Sequence, residues 1–222
     1  SLIKKDLYDP STIHYAADEM LNVCKKGPIY EPKFIFYKTK NWKNIDKESQ
    51  KSFDFFIKTF SKNIEVFDTP SYFDDIPKYH KIIHETDMAN NFQGYYKKSK
   101  KFLSKEMVSA IERGLKYSAK EYAEAIDFMK RSYESYKEVF EDFHGVLTPS
   151  SSGVAPKGLK STGSPEFSTI WTYMGLPSIS LPLLIGANNL PLGIQLVGDK
   201  LDDLRFLGVA NWLEKNCKKY AK

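Results

Sequence analysis

Two short apolar runs, residues 179–183 and 193–197, constrain this chain more than any other feature. Each is too short for an ordinary helix and apolar enough to be a strand covered by other layers. Glycine and proline punctuate them. Gly175 stops a preceding helix that carries Trp171, because a residue without Cβ suits a left-handed helix end. Pro177, Pro182 and Pro191 fix the turns at the strand ends. The stretch therefore reads as helix, buried strand, loop, buried strand.

The same alternation runs upstream. A helix is expected from Ser11 to about Lys26 through Ile13, Ala16, Ala17, Met20, Leu21 and Cys24, ended by Gly27 and Pro28. Residues 33–37 form an apolar strand. A helix over 47–62 carries Phe53, Phe56, Ile57 and Phe60 on one stripe, and residues 64–67 form the next strand. Over residues 30–70 that is the spacing of a strand–helix–strand unit. The middle, 76–143, is helical, with Tyr79, Ile82, Ile83 and Thr86 at helical spacing. One long helix is expected over 118–143, opened by Ser118 with Glu121 at the capping-box position. Its inner stripe is Tyr122, Ile126, Met129, Tyr133, Tyr136 and Phe140. Strands and loops return over 144–198. A last helix spans 202–217 with Leu204, Leu207, Ala210 and Leu213. The fold class is α/β. No repeat and no interdomain linker interrupts residues 1–222, which read as part of one domain.

Composition narrows the partners. With 41% hydrophobic and 27% charged residues, the 222-residue chain can bury a core, and no apolar run approaches the ~20 residues of a membrane span. The net charge of +5 comes almost wholly from lysines interspersed with acids; Arg113, Arg131 and Arg205 are its arginines. Without arginine forks, the pattern is a solvated surface and not a nucleic-acid face. Cys24 and Cys217 lack a CxxC neighbour and read as reduced thiols of a cytoplasmic protein. A start at Ser1 without Met or an apolar leader reads as a fragment or processed chain.

Few residues offer chemistry. Ser150, Ser151 and Ser152 precede Gly153, with Lys157 and Lys160 nearby. A serine–lysine pair needs a desolvated amine, which a polar glycine-rich stretch does not provide. His80 and His84 share a helical face, but Lys81 stands where a zincin has Glu, so they read as surface histidines and no metal site is expected. His14 and His144 are isolated. Gln195, alone in an apolar strand, is expected to meet backbone groups. Ser164 suits a helix N-cap, Pro165 the first helical position and Glu166 the helix dipole. Phe167 and Trp171 follow as i, i+4 neighbours, either core or wall of an apolar pocket.

The combination of His144–Thr148–Pro149, Val154–Ala155–Pro156, Trp171–Gly175–Pro182 and Leu190–Gly198 resembles the C-terminal part of the amidase signature family. The match is strongest over residues 144–214. The resemblance implies a mixed β-sheet core flanked by helices, of which this chain supplies only the later strands. It implies hydrolysis of carboxamides by a Ser–cis-Ser–Lys triad without cofactor. No counterpart of that triad is found here, so the catalytic residues are expected in a missing N-terminal half, and this chain alone is expected to be inactive. By the family's register, Thr148, Ser150 and Ser151 flank the acyl pocket, with Phe167 and Trp171 as its wall. The Leu183–Leu184 pair departs from the glycine that relatives often carry there. The expected partners are a small neutral amide, and either the missing half or a second copy covering the exposed sheet edge. The A-type subunit of a glutamine-dependent aminoacyl-tRNA amidotransferase is the alternative, and an inactive binding or assembly module is another.

Overall fold

The computed structural model describes residues 17–217. The expected helical turns over 11–16, and His14, lie outside them. In chain order the elements are α1 (Ala17–Lys26), β1 (Phe34–Lys38), α2 (Lys47–Thr59), β2 (Ile64–Asp68), α3 (Ile76–Asn91), α4 (Gln93–Ser99), α5 (Lys105–Gly114), α6 (Ala119–Glu134), α7 (Val139–Asp142), β3 (Gly145–Pro149), α8 (Thr169–Met174), β4 (Ser178–Ile185), β5 (Pro191–Val197) and α9 (Asp203–Cys217). They form two compact units, one of Pro70–Tyr136 and one of the chain on either side of it.

The larger unit is built on a five-stranded sheet in the order β2-β1-β3-β5-β4. β1 runs parallel to both β2 and β3, while β5 runs antiparallel to β3 and β4. The sheet is mixed, with β1-α2-β2 as the expected parallel crossover. Alternation sorts the side chains. Phe34, Phe36, Leu147, Leu181, Leu183, Leu192, Ile194 and Leu196 join one apolar core with Phe53 and Phe56 of α2 and Val209 and Leu213 of α9. Ile35, Tyr37, Val146, Thr148, Gln195 and Val197 alternate with these residues and are buried as well. α1 rests on α9, where Asn211 Nδ2 donates to the Cys24 carbonyl at 2.6 Å. Both cysteines are free, and burial pushes the Cys217 thiol up to about 12.

β4 corrects one expectation. It is not covered on both faces; it is the sheet's edge, and Ser178, Ser180 and Pro182 are exposed. Proline suits this position, since an edge strand needs no donor on its open side.

The second unit is helical. Gly114 of α5 lies so close to α3 that a Cβ there would overlap the Glu85 carbonyl. Beside that contact the Glu85 carboxylate, 3% exposed, accepts from Arg113 Nε at 2.8 Å and from the Tyr117 hydroxyl at 3.2 Å. α6 opens with the expected capping box of Ser118 and Glu121. It does not continue to Phe143. It closes on Ser135, whose N–H reaches the Arg131 and Tyr133 carbonyls, and Val139–Asp142 is a separate turn. Neither glycine nor proline marks the break. Tyr136, just past the break, is 1% exposed and packs its ring 5.4 Å from that of Phe73.

Candidate functional site

The serine loop leaves β3 at Pro149 and is held from two sides. On one side, Ser150 donates its backbone N–H to the Gly193 carbonyl at 3.1 Å, and its Oγ lies 2.7 Å from Ser180 Oγ. On the other, the N–H of Asp46 donates to the Ser152 carbonyl at 3.3 Å. Asp46 caps α2: its carboxylate accepts from the Ser49 N–H at 2.9 Å and the Ser49 hydroxyl at 2.7 Å. Burial alone would raise its pKa, but these hydrogen bonds outweigh burial and hold it below the ordinary 3.8. A Cβ on Gly153 would overlap that carboxylate, so the loop's path depends on glycine there. Ser151 Oγ donates within the loop to the Gly153 carbonyl at 2.6 Å. Lys157 and Lys160 are exposed, and neither hydrogen bonds to these serines.

α8 begins later than the sequence suggests. Ser164 Oγ accepts from the Glu166 N–H at 3.3 Å, and the Pro165 carbonyl accepts from Ser168 and Thr169. Residues 165–168 are thus a turn, and Ser168, not Ser164, occupies the cap position. Glu166 is held by neighbours in the chain before α2. Its carboxylate accepts from Asn44 Nδ2 at 2.7 Å and its carbonyl from Asn41 Nδ2 at 3.2 Å. The helix ends as expected: Gly175 has φ 68°, and Leu176 and Gly175 donate to the Trp171 and Thr172 carbonyls in a Schellman motif. Phe167 and Trp171 are each 1% exposed. Phe167 belongs to the core that fills one sheet face, and Trp171 stacks on Tyr37 at 6.4 Å between centroids.

Thr148 and Gln195 are paired across β3 and β5, and Ser180 follows in the same register on β4. Thr148 is fully buried, and its hydroxyl lies 3.4 Å from Gln195 Oε1. Gln195 therefore meets a side chain, where the sequence suggests a backbone partner. Ser180, Gly193 and Gln195 are neighbours of the serine loop, and no local sequence signal places Gly193 or Gln195 there. A cavity of about 410 Å³ lies elsewhere, lined by residues including Val23, Pro28, His144 and Leu204, and none of the five residues expected at the acyl pocket borders it.

The His80 and His84 rings stack with centroids 5.6 Å apart, and burial, then His84, lowers the His80 pKa. His144 Nδ1 accepts from the Lys33 N–H at 3.3 Å. Burial, then Arg205, lowers its pKa. Among the described residues, no three His, Cys, Asp or Glu side chains are grouped to hold a metal ion. No described helix is long and apolar enough to cross a membrane.

Residues 31–207, most of the chain, match the Amidase family. The chain belongs to that family. The A-type subunit of a glutamyl-tRNA(Gln) amidotransferase from Alkaliphilus metalliredigens is 33% identical over 101 residues, which cover 42% of this chain and 21% of that protein. Human fatty-acid amide hydrolase 2 is 33% identical over 115 residues, covering 49% and 21%. The structure of a bacterial aryl acylamidase of the amidase signature family superposes on 96% of this chain with a TM-score of 0.72 at 15% identity, using 49% of its own length. That likeness is one of fold. The chain therefore spans about half the length of the solved relative and, where aligned, a fifth of the curated ones.

Proposed function

We propose that this chain is the C-terminal part of a single amidase-like domain that hydrolyses the C–N bond of a small neutral acyl or aryl amide. The nucleophilic serine belongs to a preceding portion outside these residues. Its Oγ attacks the amide carbonyl carbon, the C–N bond breaks, and the amine leaves with a proton. Water then releases the acid from the acyl-enzyme. Thr148, Ser150 and Ser151 flank the acyl pocket in this reading. Phe167 and Trp171 stiffen the wall from within the interior. The two free cysteines fit a cytoplasmic setting. The portion that carries the nucleophile, or a second copy of the chain, covers the β4 edge.

One observation carries the choice of a neutral substrate. Residues 144–198 contain no arginine, their lysines Lys157 and Lys160 are exposed and make no hydrogen bond to the serine loop, and their single carboxylate, Glu166, is occupied by Asn44. A glutamine substrate presents an α-carboxylate and an α-ammonium, each of which asks for a partner of opposite charge. The chain's arginines are engaged too: Arg113 pairs with Glu85, Arg131 with Asp127 and Arg205 with Asp202.

The A-type amidotransferase component is the second reading, and the 33% identity to the Alkaliphilus protein favours it. Comparing kcat/KM of the complete protein for glutamine and for a neutral aryl amide decides between them. Preference for the aryl amide supports the hydrolase; preference for glutamine replaces it. An inactive assembly module is the reading left if the complete protein turns over neither.

A further inference from the structure

We propose that Gln195, together with Ser150 and Ser180, forms a subsite for an uncharged amide group lying on the face of the sheet beside β4. The identity of the ligand rests on the amidase reading above; the site itself rests on geometry.

Gln195 is 5% exposed, and its one side-chain hydrogen bond among the described residues is the 3.4 Å contact with Thr148. A side-chain amide has two polar atoms. Whichever way it is turned, Thr148 engages one and leaves the other without a partner. That remaining atom is not among the fully buried polar atoms without a partner, so it is open to solvent and within reach of a ligand. With Oε1 on Thr148, that atom is the NH₂ group, a donor.

The neighbouring groups complement it. Ser180 stands across from Gln195 in the strand register, and its hydroxyl meets that of Ser150 at 2.7 Å. Whichever serine donates in that contact, one hydroxyl hydrogen and several lone pairs remain available. Gly193 makes the meeting possible. A Cβ there would lie 2.6 Å from Ser180 Oγ and 2.8 Å from Ser150 Oγ, forcing the pair apart. The result is a donor from Gln195 next to hydroxyls that both donate and accept. An amide presents the matching pair, a carbonyl oxygen to accept and an N–H to donate. A carboxylate would want a cation and an ammonium an acid; none of Thr148, Ser150, Ser180, Gly193 and Gln195 is charged.

The test is a titration of the ¹⁵N-labelled 222-residue chain with benzamide, followed through the side-chain NH₂ signals of Gln195, which are assigned by their loss in Gln195→Met. The expected result is a saturable shift of that pair. Ser180→Ala should weaken binding roughly fivefold to tenfold, as loss of one neutral hydrogen bond does. Benzoate, of the same shape but charged, should leave the pair in place. Gln195→Glu keeps the shape without the donor and should bind as poorly as Gln195→Met, while backbone signals far from β5 stay where they are. Gln195 signals that do not move with benzamide, or move equally with benzoate, overturn the subsite. Because binding is read without turnover, this outcome is separable from failure of the amidase reading. A complete protein that hydrolyses amides while Gln195 stays silent removes the subsite alone. A responding Gln195 in an inactive complete protein removes the amidase reading alone.

Discussion

The N–H of Asp46 donates to the carbonyl of Ser152 at 3.3 Å, tying the start of α2 to the serine loop after β3. The crossover helix thus does more than cover the sheet. Its first turn sets the path of the loop that flanks the proposed pocket. Gly153 passes so near Asp46 that a methyl group has no space. Gly153→Ala should therefore destabilise the chain by about 1–3 kcal/mol, the usual cost of overpacking, read as a lower urea midpoint at constant slope. In the complete protein it should also lower kcat/KM for the amide. An unchanged midpoint would mean that the loop is free to shift.

Asp46 makes the chain acid-sensitive in a defined direction. Its folded pKa lies below its unfolded value of 3.8, so its contribution is fully present above that value and is lost as pH falls through the folded pKa. Asp46→Ala should cost about 1 kcal/mol at pH 7, as loss of an N-cap residue does. The gap in Tm between the variant and the unmodified chain should narrow below about pH 4. A gap independent of pH would show that the carboxylate's charge plays no part in the cap.

In the helical unit, Arg113→Ala should lower the urea midpoint. It leaves the Glu85 carboxylate buried with only the Tyr117 hydroxyl, and Arg113's own exposure of 47% keeps the loss below that of a fully buried pair. Glu85→Gln paired with Arg113→Met should recover part of it. Chemical denaturation of the single and double variants measures the coupling.

Trp171→Ala and Phe167→Ala should each cost about 3–5 kcal/mol, because both side chains are interior. A pocket wall that only met substrate would leave the stability of this chain nearly unchanged. Thermal unfolding of the isolated chain separates the two.

Much of the fold is legible in the sequence because its signals are local. The apolar strands 33–37 and 193–197, the Phe53–Phe56 stripe and the glycine stop at Gly175 each declare one element. The order of strands is not legible, since nothing local says that β5 inserts between β3 and β4. The apolar residues of β4 suggest a buried strand, although the opposite signal is present beside them. Ser178, Ser180 and Pro182 alternate with Ile179, Leu181 and Leu183, the pattern of a strand with one open face. That alternation is also the signal that could have brought Ser180 to the site. Gln195 reads as a structural residue because a lone glutamine in a strand carries no hint of which neighbour it meets. The end of α6 has no glycine or proline to mark it, and the contact found beside it, Tyr136 against Phe73, is a tertiary one that a local pattern does not announce.

In the proposed reading the nucleophile lies outside these residues. Intact-mass analysis after treatment with a fluorophosphonate probe, on this chain alone and on the complete protein, tests that placement. No adduct is expected on the chain. One adduct is expected on the complete protein, at a serine outside these residues, with loss of amide hydrolysis. An adduct on the isolated chain at Ser150, Ser151 or Ser152 would contradict it.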